Sequence, residues 1–227
     1  MAIRPVFVPR ENIVGHLEEI EVNFKWHAGF AVSQKQLSIQ SLHENAKSMG
    51  ICKNPLEVSS KSPVELGVQL SAFNLKLILE GFPNKVVEVL FQGSKKFEGG
   101  GPYLDLFDHS PRDAKRDSRL KSSGNLESFL FGEFQWALEP KTAFYDWLYI
   151  NALVSNRALA ESVKEYDGFS DIEFNPKKSF NCQARSLALF LSIQSNVVFE
   201  KLISDPRAFE KFCYGRKTPS SNQGELF

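Results

Sequence analysis

The chain has 227 residues, of which 42% are hydrophobic and 24% are charged, a composition typical of a soluble globular protein. Lysine plus arginine and aspartate plus glutamate both total 27, so the molecule as a whole has no net charge to attract nucleic acid. A nucleic-acid partner would therefore have to bind a local patch.

The cysteines, Cys52, Cys182 and Cys213, are odd in number and widely separated, which is typical of neither a disulfide framework nor a metal site. The N-terminal sequence lacks the apolar segment of a signal peptide, and no apolar run is long enough to span a bilayer. We therefore expect a reduced, cytoplasmic protein with no membrane partner.

The first predicted elements are a strand and a helix. Ile20, Val22, Phe24 and Trp26 alternate with polar residues, which is the period of a half-buried strand. A helix is then predicted from Ser33 to a stop at Gly50, with Ile39, Leu42, Ala46 and Met49 on one stripe. The segment NLKLILE, residues 74–80, is a second predicted strand, closed by the turn residues GFPN.

The next stretch, KVVEVLFQGSKKF, allows more than one interpretation. Its EVLFQG resembles a viral protease cleavage sequence used in protein expression, but apolar flanks and a serine instead of the usual proline after Gly93 argue against cloning debris. As a strand it has suitable β-branched residues. As a helix from about Val86 it places Glu88, Phe91 or Gln92, and Lys95 on successive turns of one face. Periodicity leaves strand and helix open.

The second half of the chain is predicted to be mainly helical. Ser110 and Pro111 form a helix start, and residues 111–121 hold five bases against two acids. FSDIEF, residues 169–174, is a short strand or turn, and the tail after residue 214 is expected to be disordered. The other predicted helices are Pro140–Tyr166, with a break near Ser155–Asn156, Cys182–Gln194 and Asn196–Phe212.

The motifs of several enzyme classes are missing from the sequence. It has neither a Walker loop nor a GxGxxG following a strand, and neither a serine elbow nor a two-histidine zinc motif. The four histidines are scattered and are expected to be structural or solvated. The sequence thus predicts no metal and no cofactor, which leaves carboxylates as the candidates for chemistry.

Glu88 is the first such candidate, because valines, a leucine and a phenylalanine surround it in the sequence. Proteins place acid–base carboxyl groups in apolar surroundings of this kind. The alternative is a helix-surface glutamate paired with Lys95, and from spacing alone that arrangement is the commoner one. The residues themselves leave both interpretations open.

The segments LSAFN, LILEGFPNKVVEVLFQGSKKF and SPRDAKRD together resemble the opening of the NADAR family, which is associated with NAD and ADP-ribose. That family has an LSNF-like segment, a strand, a glycine turn, an E-x-x-[FY]-Q-x-x-K helix and a P-x-[ED]-A-[KR] helix. The matching residues are Leu70, Ser71, Phe73, Asn74, Gly81, Glu88, Phe91, Gln92, Lys95, Pro111, Asp113, Ala114, Lys115 and Arg116.

The chain is more similar still to the branch encoded beside DNA ADP-ribosyltransferase toxins of the DarT type. FAVSQKQLSIQSLH, EVSSKSPVELGVQLSAFNL, GSKKFEGGGPYLDL and FSDIEFNPKKSFNCQA resemble blocks of that branch, and the likeness covers roughly Val22 to Tyr214. It implies an α+β, NADAR-type fold: a helix-rich single domain over residues 1–214 around a small β-sheet, with 1–50 as a branch-specific block. It also favours a helix at Glu88.

The activity that the resemblance implies is N-glycosidase chemistry by an antitoxin. The partner would be ADP-ribosylated DNA, in which the enzyme cleaves the bond between ADP-ribose and guanine, releases ADP-ribose and reverses the toxin's modification. Three alternatives stay open: a module that binds ADP-ribose without cleaving it, a glycosidase of phosphorylated ribosylamine metabolites, and direct neutralisation of the toxin by protein contact.

The resemblance also suggests site residues. Glu88 is the expected catalytic carboxylate, and Asp171 its partner, with Glu173 as a rival because the family's late tryptophan–glycine signature is replaced here by residues 171–174. Trp136 matches a family tryptophan by approximate position, and Trp147 competes with it. The expected substrate-binding residues are Asn74, Phe91, Gln92, Lys95, Arg112, Lys115, Arg116, Trp136 and Asn181.

These binding residues have different expected roles. Phe91 and Trp136 are candidates to clamp the base, and Gln92 and Asn181 to hydrogen-bond ribose hydroxyls. The bases Lys95, Arg112, Lys115 and Arg116 are expected to meet the diphosphate or the DNA backbone. Core packing for Phe91, a buried cap for the amides and a solvated helix face for the bases are the respective alternatives.

Overall fold

The computed structural model describes residues 1–11, 15–78, 84–177 and 179–215. Its strands are β1 (Ala2–Pro9), β2 (Leu17–Phe24), β3 (Pro55–Glu57), β4 (Lys76–Leu77), β5 (Lys85–Val86), β6 (Lys95–Phe97), β7 (Leu126–Phe131), β8 (Phe134–Trp136) and β9 (Gly168–Ser170). Its helices are α1 (Val32–Ser48), α2 (Glu65–Gln69), α3 (Val87–Gly93), α4 (Pro111–Arg116), α5 (Arg119–Ser122), α6 (Ala143–Ser155), α7 (Arg157–Ser162), α8 (Gln183–Ile193), α9 (Phe199–Ser204) and α10 (Pro206–Tyr214), with 3-10 helices at Leu104–Asp108 and Val163–Glu165.

The strands form three small sheets among the helices. The largest has the order β2-β1-β9-β3, in which β9 pairs antiparallel with β1 and parallel with β3. The sheet β6-β7-β8 is antiparallel, and β4 pairs with β5 in a third sheet. The expected α+β class, with helices around small sheets, is confirmed.

The N-terminal strand and helix follow the predicted pattern. In β2, Val22 and Phe24 are fully buried, and α1 covers them with Ile39 and Leu42, which are also fully buried. Burying each such apolar side chain contributes about 1.5–3 kcal/mol. The strand ends at Phe24, before the Trp26 that alternation had included.

Strand β1 is not predicted by alternation, because it is buried on both faces. Val6 and Val8 belong to the small core under α1, whereas Phe7 belongs to the main core. Because cores cover both faces, residues 5–9 of this strand are a continuous apolar run. Such a run lacks the period of two on which the sequence argument depends.

The ambiguous stretch contains a very short strand followed by a helix. Lys85 and Val86 pair with β4, and α3 then runs from Val87 to Gly93 with all seven residues buried. The predicted helix is confirmed, but Lys95 is not on its last turn, because the helix ends at Gly93 and Lys95 begins β6. A side chain at Gly93 would come within 2.5 Å of the Phe107 ring, so the helix needs glycine there.

The predicted strand at residues 74–80 is present over Lys76–Leu77. The described residues do not include the end of this predicted strand, residues 79 and 80, or the first three residues of the GFPN turn, 81–83, with the family-matched Gly81. They also exclude residues 216–227 of the tail that is expected to be disordered.

The C-terminal helices are interrupted twice. The long helix predicted from Pro140 begins at Ala143 and breaks at Asn156, as expected. The single helix predicted over 196–212 is wrong: α9 ends at Ser204, and α10 starts at Pro206. Asp205 causes the break, because its carboxylate caps α10 by accepting hydrogen bonds from two backbone N–H groups. In the described part of the chain, no helix is long and apolar enough to cross a membrane.

Candidate active site

A cavity of about 810 Å³ lies beside α3, α4, the start of α8 and the loop after β9. This volume is within the range of small-molecule sites, about 300–1,000 Å³. Seven of the residues proposed from the sequence line it: Glu88, Phe91, Gln92, Lys95, Lys115, Asp171 and Asn181.

Glu88 is in the first turn of α3, and only 5% of its surface is exposed. Its backbone N–H donates to the carbonyl of Ala72 at 2.9 Å, which fixes the start of the helix against the segment before β4. Its Oε1 accepts a hydrogen bond from Gln92 at 2.9 Å and lies 3.6 Å from Nζ of Lys115. Among the described residues, none donates a hydrogen bond to Oε2. One carboxylate oxygen is thus held, while the other has no donor in the described part of the chain.

Lys95 approaches this carboxylate through Gln92. Its Nζ donates to Oε1 of Gln92 at 2.7 Å and lies 4.9 Å from the centroid of the Phe91 ring. Burial lowers the pKa of Lys95 to about 8, a shift that the charge of Glu88 opposes and that of Lys115 increases. The pair that the sequence suggested between Glu88 and Lys95 is therefore mediated by an amide.

Helix α4 contributes one of its basic residues to the cavity. Lys115 lines it, with Nζ 5.2 Å from the Phe73 ring centroid. Arg112 and Arg116 are exposed and are not among the described residues that line the cavity. Ala114 packs into the core, so this short helix presents only a narrow edge to the cavity. Of the three bases expected from α4, Lys115 alone is among the described residues that line the cavity, and a contact of Arg112 and Arg116 with the DNA backbone stays a prediction.

Asp171 follows β9 and is held by three donors. Its Oδ1 accepts from the backbone N–H groups of Glu173, at 2.9 Å, and Phe174, at 3.2 Å, and its Oδ2 accepts from Nε2 of Gln183 at 3.1 Å. Burial raises the pKa of Asp171 to about 7, although the backbone donors oppose this shift. Its rival Glu173 also lines the cavity, but its side chain is 48% exposed and pairs with Lys35.

A third carboxyl group, that of Glu57, lies behind Asp171 and was not expected from the sequence. Glu57 is 1% exposed and accepts hydrogen bonds from the hydroxyls of Ser59 and Ser170 and from the backbone N–H of Ile172. Burial, with the charge of Asp171 added, raises the pKa of Glu57 to about 8. The sequence feature that could have predicted this group is a glutamate inside the apolar run PLEV, because a charged residue inside such a strand needs buried partners.

The tryptophans proposed to clamp the base lie in the core. Trp136 is 2% exposed, packs 5.5 Å from Trp147 and 5.7 Å from Phe144 between ring centroids, and is not among the described residues that line the cavity. Trp147 is also not among the described residues that line the cavity. The expected role of Trp136 is corrected because β8 directs this side chain against α6. Aromatic residues that do line the cavity are Phe73, Phe91, Phe129, Tyr145, Phe174 and Phe180.

The three remaining polar residues of interest have different positions. Asn74 is exposed and donates to the carbonyl of Val68 at 2.8 Å. It is not among the described residues that line the cavity, and its contact with substrate stays a prediction. Asn181 lines the cavity, and its buried Oδ1 has no hydrogen-bond partner among the described residues. The buried hydroxyl of Ser71, also in the lining, is likewise unpaired. A ligand could satisfy both groups.

The fold and the cavity define an α+β protein with a buried carboxylate site bordered by two lysines. A family model described as "DarT1-associated NADAR antitoxin" matches residues 2–223, and the chain belongs to this family. The family resemblance expected from the sequence is thereby confirmed. No curated protein matches the chain. The family description pairs the protein with a DarT toxin.

Proposed function

We propose that this antitoxin is an N-glycosidase that hydrolyses the bond between ADP-ribose and guanine in DNA, and so reverses the toxin's modification. The observation that carries the proposal is the environment of Glu88, a buried carboxylate in a cavity. Its Oε1 is held by Gln92 and Lys115, and its Oε2 has no donor among the residues that the structure describes. The family description supports the role of a counterpart to a toxin, because it names an antitoxin associated with DarT1.

Hydrolysis of a ribosyl C–N bond passes through a centre with positive charge on the sugar, as in glycoside hydrolysis. In the proposed mechanism, Glu88 stabilises this charge and accepts a proton from the attacking water through Oε2. The water oxygen bonds to the anomeric carbon as the C–N bond breaks, and the electron pair of that bond leaves with guanine. Holding Oε1 in place keeps Oε2 in a fixed orientation during this step.

Asp171 is the proposed acid. The departing guanine takes up one proton, and a carboxyl group with a pKa raised to about 7 by burial retains a proton in a large fraction of molecules near neutrality. The three donors that hold its oxygens fix the position of the group. The exposed Glu173, paired with Lys35, is the less suitable partner for this role.

The substrate's diphosphate is assigned to Lys95 and Lys115, the two lysines beside Glu88 that line the cavity. Ribose hydroxyls are assigned to Gln92 and to Asn181, whose Oδ1 lacks a partner within the part of the chain that the structure describes. Phe91 is packed against three other aromatic rings, so its proposed contribution is a rigid wall for the flipped base.

The test is an activity assay on single-stranded DNA that the cognate toxin has modified. Mass spectrometry should detect free ADP-ribose and an oligonucleotide with its guanine restored. Binding of modified DNA without product, even at high protein concentration, would instead indicate a binding module. Cleavage of phosphorylated ribosylamines, with none of modified DNA, would indicate a metabolic glycosidase. Co-purification with the toxin and protection independent of Glu88 would indicate direct neutralisation.

A further inference from the structure

Phe180 is an exposed aromatic side chain at the cavity. Sixty per cent of its surface is accessible, although most phenylalanines of the chain that the structure describes are buried or half-buried. Isolated exposed apolar residues are common and need no explanation by themselves. Phe180 differs from the exposed Phe30 and Phe134 because it belongs to the lining of the cavity that contains Glu88.

A cation lies against the ring of Phe180. Nζ of Lys141 is 4.1 Å from the ring centroid, within the range of a cation–π contact, and Lys141 also lines the cavity. Within the described residues, Lys141 forms no ion pair. The two residues come from different loops, one after β8 and one after β9, so they meet only in the folded protein. An aromatic face beside an unpaired cation is the combination that binds a base and its phosphate in single-stranded nucleic acid.

The exposure of Phe180 indicates which part of a substrate it contacts. The aromatic residues beside Glu88 are far less accessible: Phe91 is 7% exposed and Tyr145 is 6% exposed. A ligand enclosed in the cavity meets those inner rings. A modified strand, by contrast, must continue out of the cavity on at least one side of the modified nucleotide, and an accessible ring is available to the base that follows.

We propose that Phe180 and Lys141 form a subsite for the nucleotide next to the modified guanosine, in which Phe180 stacks on the neighbouring base and Lys141 binds a neighbouring phosphate. The proposal rests on the proposed function and adds to it a single-stranded polynucleotide as the preferred substrate. A base stacked on an aromatic residue is typically worth about 1–3 kcal/mol, which corresponds to about 5- to 150-fold in affinity.

The test measures binding in the Glu88→Gln background, so that the substrate is not consumed. Two ligands are compared by fluorescence anisotropy: a single-stranded 12-nucleotide oligonucleotide with one ADP-ribosylated guanine, and the ADP-ribosylated mononucleotide. Adding Phe180→Ala should weaken oligonucleotide binding about 5-fold or more and leave mononucleotide binding unchanged, and Phe180→Trp should restore it. Phe30→Ala is the matched control, because Phe30 is fully exposed and outside the cavity lining as described.

A second variant tests the cation. Lys141→Gln should weaken oligonucleotide binding and reduce the slope of log Kd against log salt by about 0.7, the value for one contact with single-stranded DNA. An equal loss for both ligands with Phe180→Ala would overturn the proposal, because the ring would then contact the adenine of ADP-ribose. No loss for either ligand would overturn it as well.

Failure of the proposed subsite can be distinguished from failure of the proposed N-glycosidase activity. Release of ADP-ribose by the wild-type protein from the mononucleotide and the oligonucleotide with equal kcat/KM would retain the N-glycosidase activity and overturn the subsite. Absence of hydrolysis would refute the proposed function, whereas the anisotropy comparison would still decide whether Phe180 contacts a neighbouring base.

Discussion

Nζ of Lys115 lies 3.6 Å from Oε1 of Glu88 and thereby connects α4 with α3 at the wall of the cavity. The pair is asymmetric, because the lysine side chain is 57% exposed and that of the glutamate 7%. The exposed partner can move towards a ligand phosphate, whereas the buried partner stays fixed by Gln92. The same lysine is thus in a position to contact both the proposed catalytic carboxylate and a ligand in the cavity.

Replacing Lys115 by methionine is expected to lower kcat/KM for modified DNA by about fivefold, equivalent to about 1 kcal/mol, because solvent screens the interaction of a half-exposed cation. Arg116→Met is the matched control: the residue is next in sequence, basic and exposed, but it does not line the cavity as described. Release of ADP-ribose measured at several salt concentrations compares the two variants. Equal effects would show that α4 acts through general charge and not through Lys115.

Replacing Glu88 by glutamine should reduce turnover at least about a hundredfold while leaving substrate binding within a few-fold of the wild type, since it removes a positioned acid–base group and keeps its size. Single-turnover release of ADP-ribose and the Kd for modified DNA are the two measurements. Glu161→Gln, on an exposed helical surface, is the control. Near wild-type release by Glu88→Gln would remove Glu88 from the mechanism.

The sequence predicts best where local pattern and environment agree. The α1 stripe follows from periodicity, and the helix at Glu88 follows from the family resemblance. Ser110 caps α4 as its sequence indicates, accepting a hydrogen bond from the backbone N–H of Asp113. The sequence predicts the helix break near Asn156 but not the one at Asp205, although aspartate before proline is a helix-start signal.

The parts of the site that the sequence does not predict depend on tertiary packing. Approximate position along the chain favours Trp136 as a site residue, but packing against α6 determines that its indole is in the core. Glu57 and Asp171 are far apart in sequence and are brought together by the parallel pairing of β3 with β9. No local pattern encodes such a pairing, because it depends on which strands become neighbours.

Asp171→Asn tests the proposed acid. Because burial raises the pKa of Asp171 to about 7, the fraction that can donate a proton falls as the pH rises through that value, and kcat of the wild type should decline above about pH 7. Asparagine should lower kcat and abolish this decline. Glu173→Gln should keep the decline but move it to lower pH, since the charge of Glu173 helps to raise the pKa of Asp171. A wild-type kcat that is constant from pH 6 to 8.5 would contradict the assignment.

Glu57→Gln tests the buried carboxyl group behind the site. Its folded pKa is raised to about 8, above the ordinary value of about 4.3, so the folded state binds more protons than the unfolded state between these values. This group therefore lowers the stability of the wild type as pH rises through that window, by at most about 1.4 kcal/mol per pH unit. Glutamine does not titrate and can still accept from Ser59 and Ile172.

Urea unfolding at several values between pH 5 and pH 8 measures the effect. The free energy of unfolding of Glu57→Gln, relative to the wild type, should increase steadily with pH over this range. In Glu161→Gln, the exposed control, the difference from the wild type should stay nearly constant. The opposite trend, in which the free energy of unfolding of Glu57→Gln falls relative to the wild type as pH rises, would mean that Glu57 is ionised and stabilising in the folded protein. The hydroxyl of Ser170 and the backbone N–H of Ile172 would then donate hydrogen bonds to an ionised carboxylate.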